Sequence, residues 1–125
     1  MNPLKDLFGE VISTYSRREA IEDGYLFEVP IKTLNEAGIK FHTCISAGIN
    51  AIIEDAIKKS EGMNDFEGIV WDILTMLKYG IQRSSDPQRV NFIVKIWQRN
   101  ISMYAVCGGG DSGEPVITIM LPNED

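Results

Sequence analysis

The chain has 125 residues, hydrophobic residues at 44% of its positions and a formal net charge of −6, a combination typical of one soluble globular domain over residues 1–125. The acidic balance disfavours direct binding of nucleic acid, which requires a basic face that neutralises phosphates. No apolar run approaches the roughly 18 residues of a membrane span. Because no apolar segment follows Met1 either, we expect a cytoplasmic protein without membrane contact.

The first well-marked element is a short helix predicted over residues 17–23. Ser16 and Glu19 have the spacing of a capping box, in which each side chain accepts a hydrogen bond from a backbone N–H at the helix start. Gly24 is suited to end this helix because glycine adopts the left-handed conformation at little cost. Before the helix, residues 4–15 are predicted to form a short helical turn followed by an extended piece.

The middle of the chain is predicted to be mainly helical. A strand at 25–29 and a helical segment at 30–37, ended by Gly38, come first. Apolar residues then recur at spacings of three and four, which places them on one face of a helix. The first of two long helices carries Ile45, Ile49, Ile52, Ile53, Ala56 and Ile57. The second begins at Asn64 or Asp65 and carries Phe66, Ile69, Val70, Ile73, Leu74, Leu77 and Ile81.

The last third of the chain is predicted to form three strands, at 90–97, 102–107 and 116–121, with a turn at 98–100. Short connections between consecutive strands favour an antiparallel meander. Together with the two consecutive helices, this pattern predicts an α+β fold, in which two central helices pack on a small, mainly antiparallel sheet with a C-terminal three-stranded meander. The polar tail at 123–125 is expected to discourage edge-to-edge aggregation.

The first strand of the meander carries apolar residues on both of its faces. Ile93 and Trp97 stand at the alternate positions, which indicates a second face that is mostly buried. If these two side chains are exposed instead, they form an apolar patch that another protein covers. Symmetric pairing of two copies in a homodimer is the simplest form of such a contact.

A glycine-rich loop between the last two strands is the first candidate site. It contains Gly108, Gly109, Gly110, Asp111, Ser112 and Glu114. Part of it resembles the stretch around the serine of trypsin-like proteases, but that chemistry needs a histidine base and an orienting carboxylate, and His42 is the only histidine. A phosphate loop leads from a strand into a helix, whereas this loop joins two strands and carries carboxylates that repel anions. We expect a mobile hairpin tip that can serve as a binding loop, with cation binding by Asp111, Ser112 and Glu114 as a lesser alternative.

The soft metal ligands of the chain include His42, Cys44 and Cys107. A structural zinc site normally needs four ligands in paired spacings, and a nucleophilic cysteine needs an adjacent base. We therefore expect two free thiols packed as small hydrophobes, with His42 at the surface. The sequence predicts no metal, no cofactor and no catalytic residue.

The densest polar cluster surrounds the first helix, where Arg18 and Glu22 are spaced as a pair on one helical face. Such a cluster presents an arginine and an aromatic side chain to a partner, or it is a solvated capping helix with weak surface pairs. Both interpretations stay open. The candidate partner-binding residues are Tyr15, Arg17, Arg18, Glu22, Ile93 and Trp97.

Both ends of the chain resemble a family of small proteins without an established activity. The matching stretches are residues 7–12, 15–17, 20–24 and the run from 106 to 125, which includes Gly-Glu-Pro-Val-Ile-Thr-Ile-Met-Leu-Pro-Asn-Glu-Asp. That family is carried on bacterial plasmids, prophages and integrative elements. The resemblance implies an accessory protein of mobile DNA, and it implies no activity for any particular residue.

Two functions are therefore expected from the sequence, and a self-associating regulator without a defence role is a third possibility that a monomer in solution would count against. The first is a non-enzymatic protein that binds a host protein and inhibits a host defence system, as anti-CRISPR proteins do. The alternative is a small enzyme or nucleotide-binding domain that combines Tyr15, Arg17 and Arg18 with the loop at 108–114. A buried arginine beside a concave pocket would favour the alternative, and a convex surface with a flat hydrophobic patch would favour the binding protein.

Overall fold

A computed structural model describes residues 16–86 and 88–124 of the chain. Within these ranges the helices are α1 (Arg17–Glu22), α2 (Ile31–Ala37), α3 (Ala47–Lys59) and α4 (Phe66–Arg83). The strands are β1 (Leu26–Glu28), β2 (His42–Ser46), β3 (Arg89–Ile96), β4 (Arg99–Gly109) and β5 (Pro115–Met120). The helical turn and extended piece predicted for residues 4–15 lie outside the described residues.

Local capping contacts explain where the helices begin and end. Ser16 and Glu19 form the predicted capping box, since Ser16 Oγ accepts from the Glu19 N–H and Glu19 Oε1 accepts from the Ser16 N–H, both at 3.0 Å. Asp65 begins α4 by accepting from the Gly68 N–H at 2.7 Å. Gly38 ends α2 in the left-handed conformation, with φ at 79°. These boundaries follow the sequence predictions closely.

The strands form one mixed sheet in the order β1-β2-β5-β4-β3. Strands β3, β4 and β5 make the predicted antiparallel meander, and β1 pairs antiparallel with β2. The pairing of β2 with β5 is parallel. The predicted α+β fold with a mainly antiparallel sheet is confirmed. The expectation for the polar tail is wrong, because β5 is the central strand and the tail follows no sheet edge.

The hydrophobic core lies between one face of the sheet and helices α2, α3 and α4. Leu34 and Ala37 from α2 are buried there, as are the apolar faces of the two long helices. The core residues of α3 and α4 are Ile49, Ile53, Ala56, Ile69, Val70, Ile73, Leu74 and Leu77. Those of the sheet are Ile45, Val90, Phe92, Val94, Ile96, Met103, Ala105, Ile117 and Ile119.

Strand β2 is an element that the apolar spacing did not predict. The distance of four residues from Ile45 to Ile49 predicts a common helix, but Ile45 lies in β2 and pairs with Phe27 and Ile119. Helix α3 starts only after Ser46, whose Oγ accepts from the Ile49 N–H at 3.2 Å. The prediction is wrong here because a strand leading directly into a helix can continue the spacing of that helix.

Strand β3 is buried on one face only, so the prediction of a mostly buried second face is wrong. Its residues alternate strictly between exposed and buried, and Ile93 is 56% exposed. The turn after β3 comes earlier than predicted, since Trp97 and Gln98 join β3 directly to β4. Trp97 adopts the left-handed conformation there, with φ at 56°, and its half-buried side chain packs against the core.

Helix α1 lies on the face of the sheet opposite the core. Alternate residues of a strand point to opposite faces, so Thr118 points away from the core residues Ile117 and Ile119. Arg17 at the start of α1 donates to the Thr118 side chain. No helix in the described ranges is long and apolar enough to cross a membrane.

Candidate functional site

The half-buried side chain of Arg17 is the centre of a polar cluster on the outer face of the sheet. Its Nε–H donates to Nδ1 of His42 at 3.0 Å. Its two terminal nitrogens donate to Oγ1 of Thr118 at 2.6 Å and to the carbonyl oxygen of Ile117 at 2.7 Å. The guanidinium is therefore committed to β2 and β5, and it holds α1 against the parallel pair of strands.

His42 links this arginine to a carboxylate on the edge strand β1. Because a guanidinium N–H can only donate, Nδ1 of His42 must accept from Arg17. The neutral ring therefore carries its proton on Nε2, which donates to Oε2 of Glu28 at 2.8 Å. Glu28 and His42 are 56% and 33% exposed at their side chains. The chain of contacts Glu28–His42–Arg17 leaves neither ring nitrogen free to act as a base.

The glycine-rich loop reaches the start of α1 through Asp111. The two carboxylate oxygens accept from the backbone N–H groups of Arg17 at 2.8 Å and Arg18 at 3.1 Å. These hydrogen bonds hold the pKa of Asp111 below its ordinary value. The alternative function, an enzyme or nucleotide-binding domain, requires that the start of α1 and the glycine-rich loop lie side by side. The hydrogen bonds of Asp111 join these two segments. A carboxylate also occupies the helix start that an anionic ligand would otherwise use.

The rest of the loop is a tight hairpin turn between β4 and β5. The Gly110 N–H donates to the Glu114 carbonyl at 2.6 Å, and the Glu114 side chain accepts from the Ser112 N–H at 2.9 Å. Gly113 adopts a positive φ of 82°, which favours glycine. Gly108 and Gly109 belong to β4 rather than to the loop. The turn is thus held by its own contacts, and Asp111 is the residue that reaches beyond it.

A small cavity of about 190 Å³ lies between α1, the loop and β2. Its lining includes Arg17, Arg18, Glu28, His42, Asp111 and Glu114. Two cations, one imidazole and three carboxylates surround this space, and hydrogen bonds join Arg17 to His42 and Asp111, and His42 to Glu28. Among the described residues no group of three or more His, Cys, Asp or Glu side chains could hold a metal ion.

The two cysteines differ in their surroundings. Cys44 in β2 is fully buried, and burial raises the pKa of its thiol to about 11, a change that nearby Arg17 opposes. Cys107 in β4 is half-buried, and both thiols are free. A thiolate is the nucleophilic form of cysteine, so Cys44 is unsuited to nucleophilic chemistry.

The structure separates the predicted partner-binding residues into two groups. Arg17 faces inward, while Arg18 and Glu22 are exposed on α1, and no ion pair joins these two among the described contacts. Ile93 and Trp97 lie at the other edge of the sheet, on β3 and the turn that follows it. Tyr15 lies outside the described residues.

A broad groove of about 910 Å³ runs along the edge formed by β3 and α4. Ile93 and Tyr79, which are 56% and 50% exposed, line it together with Arg83 and Arg89. The guanidinium of Arg89 stacks over the Tyr104 ring at 3.8 Å from its centroid. Asp86 is the one acid that lines the groove within the described residues. The groove therefore combines an unpaired strand edge, exposed apolar side chains and an excess of positive charge.

Several residues of these contacts were not singled out in the sequence. Thr118 is the one polar side chain in β5, and a polar residue inside an apolar strand is the signal that could have revealed it. Glu124 accepts from Ser46 Oγ at 2.6 Å and from the Leu121 N–H at 2.8 Å, and its carbonyl accepts from the Tyr104 hydroxyl. The polar tail therefore ties β5 and β4 to the start of α3.

The fold and these contacts define a small α+β protein with a polar cluster on one face of its sheet and an open groove at one edge. The chain belongs to a family of unknown function (DUF6573), and the match extends over residues 4–125. No curated protein and no solved structure matches the chain.

Proposed function

We propose that this protein is a non-enzymatic binding protein that acts by contact with another protein. The observation that carries the proposal is the edge of the sheet at β3. This strand of eight residues pairs only with β4 in the described part of the chain, and Ile93 is exposed at its middle. An unpaired strand edge offers a row of backbone donors and acceptors to a partner strand.

The proposed partner contributes an extended acidic segment that adds to the sheet beside β3. Main-chain hydrogen bonds provide affinity in this mode of recognition, and side-chain pockets provide specificity. Ile93 and Tyr79 supply apolar contacts along the groove, while Arg83 and Arg89 favour acidic side chains in the partner. Lys95 is exposed further along the same strand. A second copy of this chain is the other partner that the same edge can accept.

The Arg17 cluster supports binding rather than catalysis. The Arg17 guanidinium, both ring nitrogens of His42 and the Asp111 carboxylate make hydrogen bonds within the protein. A general base or a nucleophile must instead be free to contact its substrate. Because these contacts occupy the Arg17 guanidinium within the protein, Arg17 itself is unsuited to contact a partner.

The proposed setting is a bacterial cytoplasm that carries a plasmid, a prophage or an integrative element. The support is the resemblance of both ends of the chain to small proteins encoded on such elements. In that setting the proposed partner is a host protein, with a defence protein such as a CRISPR nuclease as the first candidate to test. This part of the proposal rests on context alone.

Substitution of one exposed isoleucine by glutamate tests the proposed surface. Ile93→Glu places a negative charge in the groove, whereas Ile31→Glu makes the same change at a 72% exposed position on α2. We expect wild type and Ile31→Glu to capture one stoichiometric protein from host lysate, and Ile93→Glu to lose it. Sedimentation of the purified protein separates this result from self-association. Equal capture by both variants, or a stable dimer without any captured protein, would contradict the proposal.

The alternative is a small enzyme or nucleotide-binding domain that uses Tyr15, Arg17, Arg18 and the loop at 108–114. One observation favours it, because α1 and the loop meet through Asp111 and enclose a cavity beside the half-buried Arg17. The carboxylates of that cavity count against an anionic ligand. A rise in unfolding temperature with ATP or inorganic phosphate would support the alternative, whereas no rise is expected for the binding protein.

A further inference from the structure

A second cavity, of about 500 Å³, opens at the end of the interface between α4 and the sheet. The loop at 38–41 forms one wall, and Lys78, Ile81 and Ser84 at the end of α4 form another. Val90, Cys107 and Ile117 form its floor. This volume lies within the range of about 300–1,000 Å³ that is typical of small-molecule sites. The cavity shares no lining residue with the small cavity beside Arg17, and it meets the groove along β3 only at Ser84.

The floor of this cavity is an open end of the hydrophobic core. Val90 and Ile117 of this floor, and Ile39 of the wall, belong to the core cluster. Phe41 and Ile81 at its rim remain 45% and 44% exposed. Removing exposed apolar side chains from water against an apolar floor is favourable and stabilises a bound apolar group. The body of a matching ligand is therefore apolar.

The walls of the cavity are held in place by hydrogen bonds. The Gly38 and Ile39 N–H groups donate to the carbonyls of Asn35 and Leu34 at 3.1 and 2.9 Å. The Phe41 carbonyl accepts from Thr43 Oγ1 at 2.9 Å. A cavity whose walls are already ordered loses little conformational entropy when it binds a ligand.

Both charged side chains that line the cavity are cations. Lys40 and Lys78 line it, and no acidic residue does so within the described part of the chain. Lys78 Nζ donates to the Ala37 carbonyl at 2.8 Å, which accounts for one of its three N–H groups. Lys40 has no partner among the described residues. The cavity is therefore locally positive, although the chain as a whole has a net charge of −6.

We propose that this cavity binds a small amphipathic carboxylate, with its apolar chain on the core residues and its carboxylate at Lys40 and Lys78. The proposal is independent of the protein partner at β3. It also gives Cys107 a place at the floor of the site, where a bound ligand shields the thiol from solvent.

Decanoate and decyltrimethylammonium, which share a chain length and differ in the sign of the head group, provide the test. Iodoacetamide labelling of Cys107, followed by peptide mass spectrometry, reports occupancy of the cavity, since Cys44 is fully buried. Below the concentration at which either probe forms micelles, we expect decanoate to slow the labelling of Cys107 at least severalfold and decyltrimethylammonium to leave it unchanged. Equal protection by both probes, or none by decanoate, would overturn the proposal.

A lysine substitution in the loop adds a matched control. Lys40→Gln removes the unpartnered cation at the cavity, while Lys32→Gln removes an exposed cation of α2 that does not line it. We expect Lys40→Gln to weaken decanoate binding about three- to fivefold, the upper part of the range for an exposed charge contact. Lys32→Gln should bind as the wild type does. Equal affinities of the two variants would show that charge does not select the ligand and would refute the assignment.

Discussion

At the scale of single residues, Arg17 shows how one side chain can join three elements. Its guanidinium contacts β2 through His42 and β5 through Thr118 and the Ile117 carbonyl. Lysine cannot reproduce this arrangement, because its ammonium is a single point charge without a planar fork of donors. Arg17 therefore stabilises the packing of α1 on the outer face of the sheet, whereas the side chain of its neighbour Arg18 is exposed.

Replacement of Arg17 tests this structural role. Arg17→Ala leaves the His42 ring, the Thr118 hydroxyl and a carbonyl without their charged donor, so we expect a loss of about 2 kcal/mol in the free energy of unfolding. Arg17→Lys should recover only part of it. Chemical denaturation measures the loss. Arg18→Ala serves as the control, and we expect it to change stability by less than about 0.5 kcal/mol.

At the scale of elements, α1 depends on a contact from the opposite end of the chain. A helix of six residues is too short to be stable alone. Its capping box is local, but Asp111 from the hairpin between β4 and β5 accepts from two further N–H groups of its first turn. The helix and the hairpin therefore stabilise each other on the outer face of the sheet.

The titration of Asp111 makes this dependence measurable. Its folded pKa is lowered below the ordinary 3.8, so it stabilises the fold above that pH, and this contribution is lost as the pH falls through the folded value. We expect Asp111→Asn to be less stable than the wild type at pH 7, and the difference to shrink below about pH 3.8. Thermal unfolding across this range tests it. Asp72→Asn removes a carboxylate at an exposed position of α4 and serves as the matched variant.

At the scale of the whole molecule, the two cysteines differ in how far the fold must open before a reagent can reach their thiols. Cys44 lies in β2 between two paired strands and is 0% exposed, whereas Cys107 is half-buried at the cavity under α4. Burial raises the pKa of Cys44 from 9.0 to about 11. Its neutral thiol therefore stabilises the fold below pH 9, and this contribution is lost as the pH rises towards 11.

Alkylation kinetics distinguish these two thiols. At pH 8 we expect iodoacetamide to modify Cys107 in the native protein, and to modify Cys44 only as fast as the sheet opens. Addition of denaturant below the unfolding midpoint should accelerate the Cys44 reaction far more than that of Cys107. Modification of both residues at one rate in native conditions would contradict the buried position of Cys44.

Elements marked by strong local signals were predictable from the sequence. The capping box of Ser16 and Glu19, the left-handed Gly38 and the N-cap Asp65 each act through neighbouring residues, so their spacing reveals them. The meander was predictable for the same reason, since its strands follow one another through short turns. Strand β2 was missed because Ile45 continues the spacing of α3.

The candidate sites were less predictable because they depend on contacts between distant residues. Asp111 and Arg17 are 94 positions apart, and only the sheet order places the hairpin beside α1. Thr118 gave a weak signal as a polar residue in an apolar strand. The exposure of Ile93 could not be inferred, because alternation on a strand does not reveal whether another layer covers its second face.

By itself, the sequence determined the α+β class, the start of α1, the end of α2, the start of α4, the meander and the apolar face of α4, because each follows from periodicity or capping within a few residues. Only the tertiary structure decided that β2 pairs in parallel with β5, which places the last strand at the centre of the sheet. That pairing positions Arg17 over both strands and leaves β3 at an edge. Such contacts join residues far apart in the chain, and local propensity carries no information about them.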